Sequence, residues 1–187
     1  WRQMFNANEL TSDEAFCGWG DEGISDFCNN SWGASHPMLK GYYYRLFFGV
    51  TMCNFYLAEC ADYNETMTAE VRFLRAFHYL QLLDCFGKNV PFITEMSSEM
   101  AMPAEGNQVY DFIESELLEV EPLMLEPKAR RFGQEGYGRA DKAAAWLLLS
   151  RLYLNAGVYT GTPQWQKAAD YAKKVITQSG RKLCTTP

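Results

Sequence analysis

The amino-acid sequence predicts an all-α fold, and three observations carry that reading. Apolar residues recur at intervals of three and four, as on one face of a helix, beginning with Leu39, Tyr42, Tyr43, Leu46, Val50, Cys53 and Leu57. No stretch alternates apolar and polar residues with the period of two that a half-buried strand requires. Apolar runs end near Gly87, Pro122, Gly157 and Gly180, residue types that stop helices.

The bulk numbers suit a folded domain. In 187 residues, 48% hydrophobic and 15% aromatic, there is enough apolar material for a sizeable core. The net charge of −6, from 17 basic and 23 acidic residues, argues against a nucleic-acid binder, which carries a basic face. No apolar run approaches the ~20 residues needed to span a bilayer. No secretory leader pattern opens the chain at Trp1-Arg2-Gln3. Of the six cysteines (17, 28, 53, 60, 85 and 184), none forms a CxxC pair. With only two histidines no zinc set is expected. Cys17 and Cys28 flank a loop and could bridge, although the cysteines are expected mainly as small buried hydrophobes.

The elements follow in order. Residues 1–37 have loop composition, Ser, Asp, Gly and Asn with single aromatics, and something is expected to cover Phe16, Trp19, Phe27 and Trp32. A first helix starts with Ser35 as cap and Pro37 in its first turn. Asn54 lies beside its apolar face and needs hydrogen-bond partners if buried. Gly41 and Gly49 would let a neighbour pack closely. A second helix starts at Thr68 as N-cap, with Val71, Leu74, Phe77, Leu80 and Leu83 as its stripe. Phe73, Ala76 and Tyr79 widen that stripe, so the helix is expected to be covered on two sides. It stops at Gly87, and Pro91 prevents continuation. Val109, Phe112, Ile113, Leu117, Val120 and Met124 make a third stripe, ended or kinked by Pro122. A Gly-rich, locally basic loop precedes a fourth helix from about Asp141 to Ala156. The fifth begins after Thr162-Pro163 and carries Trp165, Ala168, Ala172, Val175 and Ile176 inward.

Shifting the second helix by about 70 residues onto the fourth superposes Leu74, Ala76, Phe77, Tyr79, Leu82, Leu83 and Gly87 on Ala144, Trp146, Leu147, Leu149, Leu152, Tyr153 and Gly157. Each is followed by an amphipathic helix. Two such units, at about 68–125 and 140–180, suggest tetratricopeptide-like helix pairs, within a single domain spanning 1–187 whose first 37 residues are the irregular, aromatic-rich segment. Two unrelated amphipathic hairpins would show a similar pattern.

Catalytic motifs are absent: there is no GxSxG, Walker loop, HExxH or GxGxxG. No catalytic residue, metal site or cofactor is therefore expected. His78 is expected as a satisfied core histidine and His36 as a cap or surface residue. Arg72 and Arg75 either pair with acids on a neighbour or mark the wet edge of the second helix. The aromatic loop is the one region suited to recognition. A sugar ring presents C–H faces and a rim of hydroxyls, which an aromatic face with nearby acids and amides complements. Trp19 and Trp32, among Asp21, Glu22, Asn29 and Asn30, fit that description, although packing is the ordinary role of a tryptophan.

The segment "AEVRFLRAFHYLQLLDCFGKNVPFITE", with Glu70, Phe73, Leu74, Arg75, Ala76, Tyr79, Phe86, Gly87 and Pro91, resembles the SusD/RagB family of outer-membrane nutrient-binding lipoproteins of Bacteroidetes. "GRADKAAAWLLLSRLYLNAG" with "WQKAADYAKKVITQSG" is similar to that family's tetratricopeptide unit, and "TSDEAFCGWGDEG" and "YYYRLFFGVTMCN" to its upstream loop and helix. The resemblance implies a non-catalytic, surface-exposed protein that binds oligosaccharide or polysaccharide and passes it to a TonB-dependent, SusC-like transporter. It implies a membrane link through a lipidated N-terminal cysteine, which does not open this chain. Members continue further, so an N-terminal portion of a longer protein is expected. An early-loop aromatic contributes to the sugar platform in relatives; here that implies Trp19, with Trp32 second, rimmed by Asp21 and Glu22. A tetratricopeptide-type protein adaptor and a fragment of a helical enzyme are the alternatives.

Overall fold

A computed structural model describes residues 2–183; Cys184 lies outside them. Helices dominate. They are α1 (Arg2–Glu9), α2 (Ile24–Cys28), α3 (Pro37–Cys60), α4 (Glu65–Phe86), α5 (Gln108–Val120), α6 (Lys142–Leu154), α7 (Ala156–Thr160) and α8 (Trp165–Gln178), with a 3-10 turn at Glu121–Leu123. The only strand-like pairings among the described residues are isolated bridges, Pro91 with Pro103 and Leu125 with Asp141. The chain packs as two compact units, one up to Phe48 and one from Gly49 onward.

In the first unit the segment expected to be irregular contains α1 and α2. Leu10, Ile24 and Phe27 form its core, with Ala7, Ala15, Met38 and Leu39 packed at the edge. Cys17 and Cys28 also pack there, as free thiols rather than a disulfide. Only Phe27 of the four aromatics is covered; Phe16, Trp19 and Trp32 are 84%, 68% and 40% exposed. His36, not Ser35, caps α3: its Nδ1 accepts from the Leu39 N–H at 3.4 Å. Its Nε2 lies 3.0 Å from the Gly23 carbonyl. It is therefore a buried cap, which explains its place directly before Pro37.

In the second unit α4 pairs with α5 and α6 with α8, and the two pairs meet through α5 and α6. This is the helix-pair arrangement that the 70-residue offset anticipates. Boundaries differ in instructive ways. Helix α4 begins before Thr68, because the Asn64 side chain accepts from the Met67 N–H at 2.9 Å. The Thr68 hydroxyl instead donates to the Ala61 carbonyl at 2.7 Å. Glycine 87 does end α4, with φ 90°. Glycine 157 does not end α6. It lies inside α7, where Pro163 packs against it closely enough that a Cβ would meet its Cγ at 3.3 Å, and the chain turns away at Gly161, φ 80°.

Two faces are rotated from expectation. The covered side of α4 runs through Ala69, Phe73, Ala76, Tyr79, Leu80 and Leu83, while Leu74 is exposed. On α8 Ala168 is buried, but Trp165 and Ile176 are solvent-facing. Only one of the described cysteines, Cys53, is fully buried; Cys60 and Cys85 are exposed. Burial pushes the Cys53 thiol up to about 11, against the smaller opposing pull of Arg75.

Candidate functional site

In the first unit, the turn after α2 is closed by backbone hydrogen bonds from Asn30 N–H to Phe27 O (3.1 Å) and Ser31 N–H to Asp26 O (2.9 Å). Asn30 takes a left-handed conformation there, φ 52°, which asparagine tolerates better than most residues. This turn delivers Trp32 edge-on to Phe27, ring centroids 5.7 Å apart. Phe27 also packs on His36 at 4.5 Å. One side of Trp32 is thus used in packing.

Trp19 is placed differently. It sits in the segment between α1 and α2, 68% exposed. The Arg2 guanidinium of α1 lies over its ring at 5.4 Å and pairs with Asp21 at 2.6 Å. Arg2 thereby joins two of the four candidate residues, Trp19 and Asp21, at one place; Glu22 is exposed beside them in sequence. No feature of the sequence marks Arg2 as the link, because the contact runs between segments 17 and more positions apart. A large exposed indole held by a cation and flanked by a carboxylate offers a flat apolar face with polar groups at its rim. Such a surface is suited to a ligand held by shape and dispersion, with hydrogen bonds at the edge.

The second unit contains a buried polar network. Arg75, 7% exposed, donates to Asn54 Oδ1 (3.0 Å), the Thr94 carbonyl (2.7 Å) and Glu116 Oε2 (2.9 Å). Arg72 donates to Glu116 Oε1 at 2.6 Å and to Glu119, and those two carboxylates hold the Arg72 guanidinium above its ordinary pKa. Both arginines of α4 therefore pair with acids on α5. Asn54 is buried and donates to the Ile93 and Glu95 carbonyls at 3.2 and 3.4 Å. The Tyr79 hydroxyl donates to Ile93 O (2.7 Å) and accepts from Ile93 N–H (2.9 Å). Tyr79, Phe92 and Phe112 pack as an aromatic trio with centroids 5.2–5.4 Å apart. These groups hold α3, α4, α5 and the 93–95 segment together, which makes this network a scaffold. His78 is likewise structural: its Nδ1 bonds to the Leu74 carbonyl at 2.6 Å.

Among the described residues no His, Cys, Asp or Glu cluster could hold a metal ion, and no helix is long and apolar enough to cross a membrane.

Comparison with known proteins gives a consistent set. The chain is 43% identical over 190 residues to the starch-binding protein SusD of Bacteroides thetaiotaomicron, an alignment covering 99% of this chain and 33% of that protein. It thus spans about a third of the length of the curated relative it matches. A solved structure with a xylogluco-oligosaccharide has a TM-score of 0.75 at 22% identity, covering 98% of this chain and 39% of the other. Surface glycan-binding protein A from Bacteroides uniformis gives 0.73 at 25% identity, over 96% and 42%. A SusD superfamily protein from Parabacteroides distasonis gives 0.73 at 23%, over 93% and 38%. No protein-family model matches the chain.

Proposed function

The chain belongs to the SusD family, and on that premise we propose that it is part of a non-catalytic protein of the bacterial cell surface that binds neutral glycans and hands them to a TonB-dependent transporter. The outer-membrane location, the lipid anchor and the SusC-like partner belong to this proposal, as does an N-terminal place within a longer protein. The relatives support binding over catalysis: one is a starch-binding protein, another a surface glycan-binding protein.

The observation that carries the reading is Trp19. Its indole is 68% exposed and is held by Arg2, itself paired with Asp21 at 2.6 Å. An exposed tryptophan on a fixed platform suits the C–H face of a pyranose, with Asp21 and Glu22 as acceptors for ring hydroxyls. Trp32 is a second contact, weaker because part of its ring is committed to Phe27. Such a shallow surface anchors few atoms, so a single module binds weakly, with Kd on the order of 0.1–1 mM.

Trp19→Ala in the full-length protein, followed by calorimetry and gel retardation on a panel of neutral polysaccharides, tests this. Loss of binding with an unchanged melting temperature is expected, and a smaller loss for Trp32→Ala. If both variants bind every glycan like the parent, the platform lies elsewhere.

A further inference from the structure

The loop between the 3-10 turn and α6 supplies three cations to one hollow, and the segment after α8 supplies a fourth, Arg181. Lys128, Arg130, Arg139 and Arg181 line a concavity of about 390 Å³ together with Tyr137. In a chain of net charge −6 this is a concentration of the opposite sign.

Two carboxylates partner the cluster, and both are withdrawn from water. Asp141, with its side chain 1% exposed, accepts from Arg130 at 3.3 Å and Arg181 at 2.6 Å through Oδ2. Its Oδ1 accepts from the Ala143 and Ala144 N–H groups at the start of α6. Glu70, 14% exposed, accepts from Arg139 Nε and Nη2 at 3.1 and 2.8 Å. Arg130 is fixed further by the Glu126 and Lys128 carbonyls. The guanidiniums are therefore held in place from behind, while Arg139 and Arg181 remain 41% and 46% exposed in front. Four positive charges meet two negative ones, and Lys128 has no ion-pair partner among the described residues. Exposed Glu135 is a further acid, on an adjoining hollow that shares Lys128, Arg130 and Arg139, while the exposed Glu126 carboxylate of the same loop is paired with Lys142.

The loop backbone is shaped to allow this. Gly136 has φ 75°, and a Cβ there would meet Arg130 Nε at 3.0 Å and Leu125 at 3.3 Å. Tyr137 is half exposed and packs edge-on to the exposed Phe132, centroids 5.8 Å apart. One hollow therefore presents planar donor forks suited to an oxyanion beside an aromatic ring edge and face.

We propose that this hollow binds the anionic group of an acidic saccharide, a uronate carboxylate or a sulfate ester, with Lys128, Arg139 and Arg181 facing the anion and Tyr137 against the sugar ring. The anion follows from the charge arrangement; the saccharide as its carrier rests on the glycan reading above.

The test is calorimetry with trigalacturonate, a sulfated galacto-trisaccharide and neutral galactotriose, at ~20 and ~200 mM salt, where screening lengths differ about threefold. Binding of the acidic sugars at low salt, weakened at high salt, is expected; whichever of the two binds names the anion. Lys128→Ala should weaken that binding by about two- to fivefold, the scale of one exposed ion pair, and Glu135→Gln should strengthen it by a similar factor. Neither side chain is buried, so circular dichroism should show both variants folded as the parent. Three results would overturn the proposal. They are equal affinity for acidic and neutral trisaccharides at low salt, no response of acidic binding to either variant, and loss of acidic binding in Trp19→Ala. The last variant keeps this site separable from the neutral-glycan platform, whose failure would leave acidic binding untouched.

Discussion

Two glycines on α3 provide a matched pair of substitutions with opposite expected signs. A Cβ on Gly49 would fall 2.2 Å from His78 Nε2, 2.5 Å from Cδ2 and 2.7 Å from Cε1 of the same ring. A Cβ on Gly41 meets nothing within 4 Å. Both lie in a helix interior, so Ala should gain about 0.5–1 kcal/mol of helix propensity at either position. At Gly49 that gain is set against overpacking, typically ~1–3 kcal/mol. The cost belongs near the top of this range, because three ring atoms overlap and the ring is tethered by its 2.6 Å bond to the Leu74 carbonyl. Gly49→Ala should therefore destabilise by about 2 kcal/mol, lowering Tm by about 4–8 °C for a chain of this size. Gly41→Ala should leave Tm unchanged or raise it by about 2–4 °C. Thermal melts followed by circular dichroism measure both. Adding His78→Ala to Gly49→Ala should recover part of the loss by opening the space. A Gly49→Ala protein melting at or above the parent would refute the close approach of α3 and α4 at this point.

Glu116→Ala strips the carboxylate that serves Arg75 and Arg72 together, leaving Arg75 charged and buried; a loss of about 3–5 kcal/mol is expected in urea unfolding. Tyr79 should make the fold sensitive to alkali. Burial pushes its phenol up to about 12, with the Ile93 backbone bond and Arg75 opposing more weakly. A folded-state pKa raised above the ordinary value of 10 means that the contribution is complete below about pH 10 and lost as pH rises through about 12. A difference of that size corresponds to about 3 kcal/mol. Tyr79→Phe should flatten the decline of stability between those values without abolishing it, since Tyr153 and Tyr159 are also raised, by burial first and then by Glu114 and Asp84 respectively. Trp165→Gln and Ile176→Thr on the open side of α8 should each change stability by no more than about 0.5 kcal/mol, which melts would confirm.

The pairing of helices was legible because it rests on where apolar residues recur, and recurrence survives small errors of boundary. Which side of α4 faces inward was not. That helix is apolar nearly all round, so its periodicity does not choose between Leu74 and Phe73, and only the neighbours decide. Thr68 and Asn64 are both competent caps, and the chain before them settles the choice through the Ala61 carbonyl. Asn54 was legible as a conditional, a polar residue needing partners, but the partners are backbone groups some 40 residues away and leave no trace in local pattern. Trp19 and Asp21 could be picked out as candidates for recognition from residue type, and their shared contact with Arg2 is what the structure adds. Arg2, which joins them, could not, because a single arginine at the start of a chain has many ordinary uses.

The clamp on residues 93–95 has a consequence for how this protein can change over generations. Asn54, Arg75 and Tyr79 grip Ile93, Thr94 and Glu95 entirely through main-chain carbonyls and one N–H. Those atoms are common to every amino acid, so the grip does not read the identity of what it holds. The three clamping side chains are constrained, while the clamp itself demands no particular side chain at the clamped positions, save that proline at position 93 would remove the N–H that Tyr79 receives. Selection could thus rewrite the surface displayed by this segment without renegotiating its anchorage.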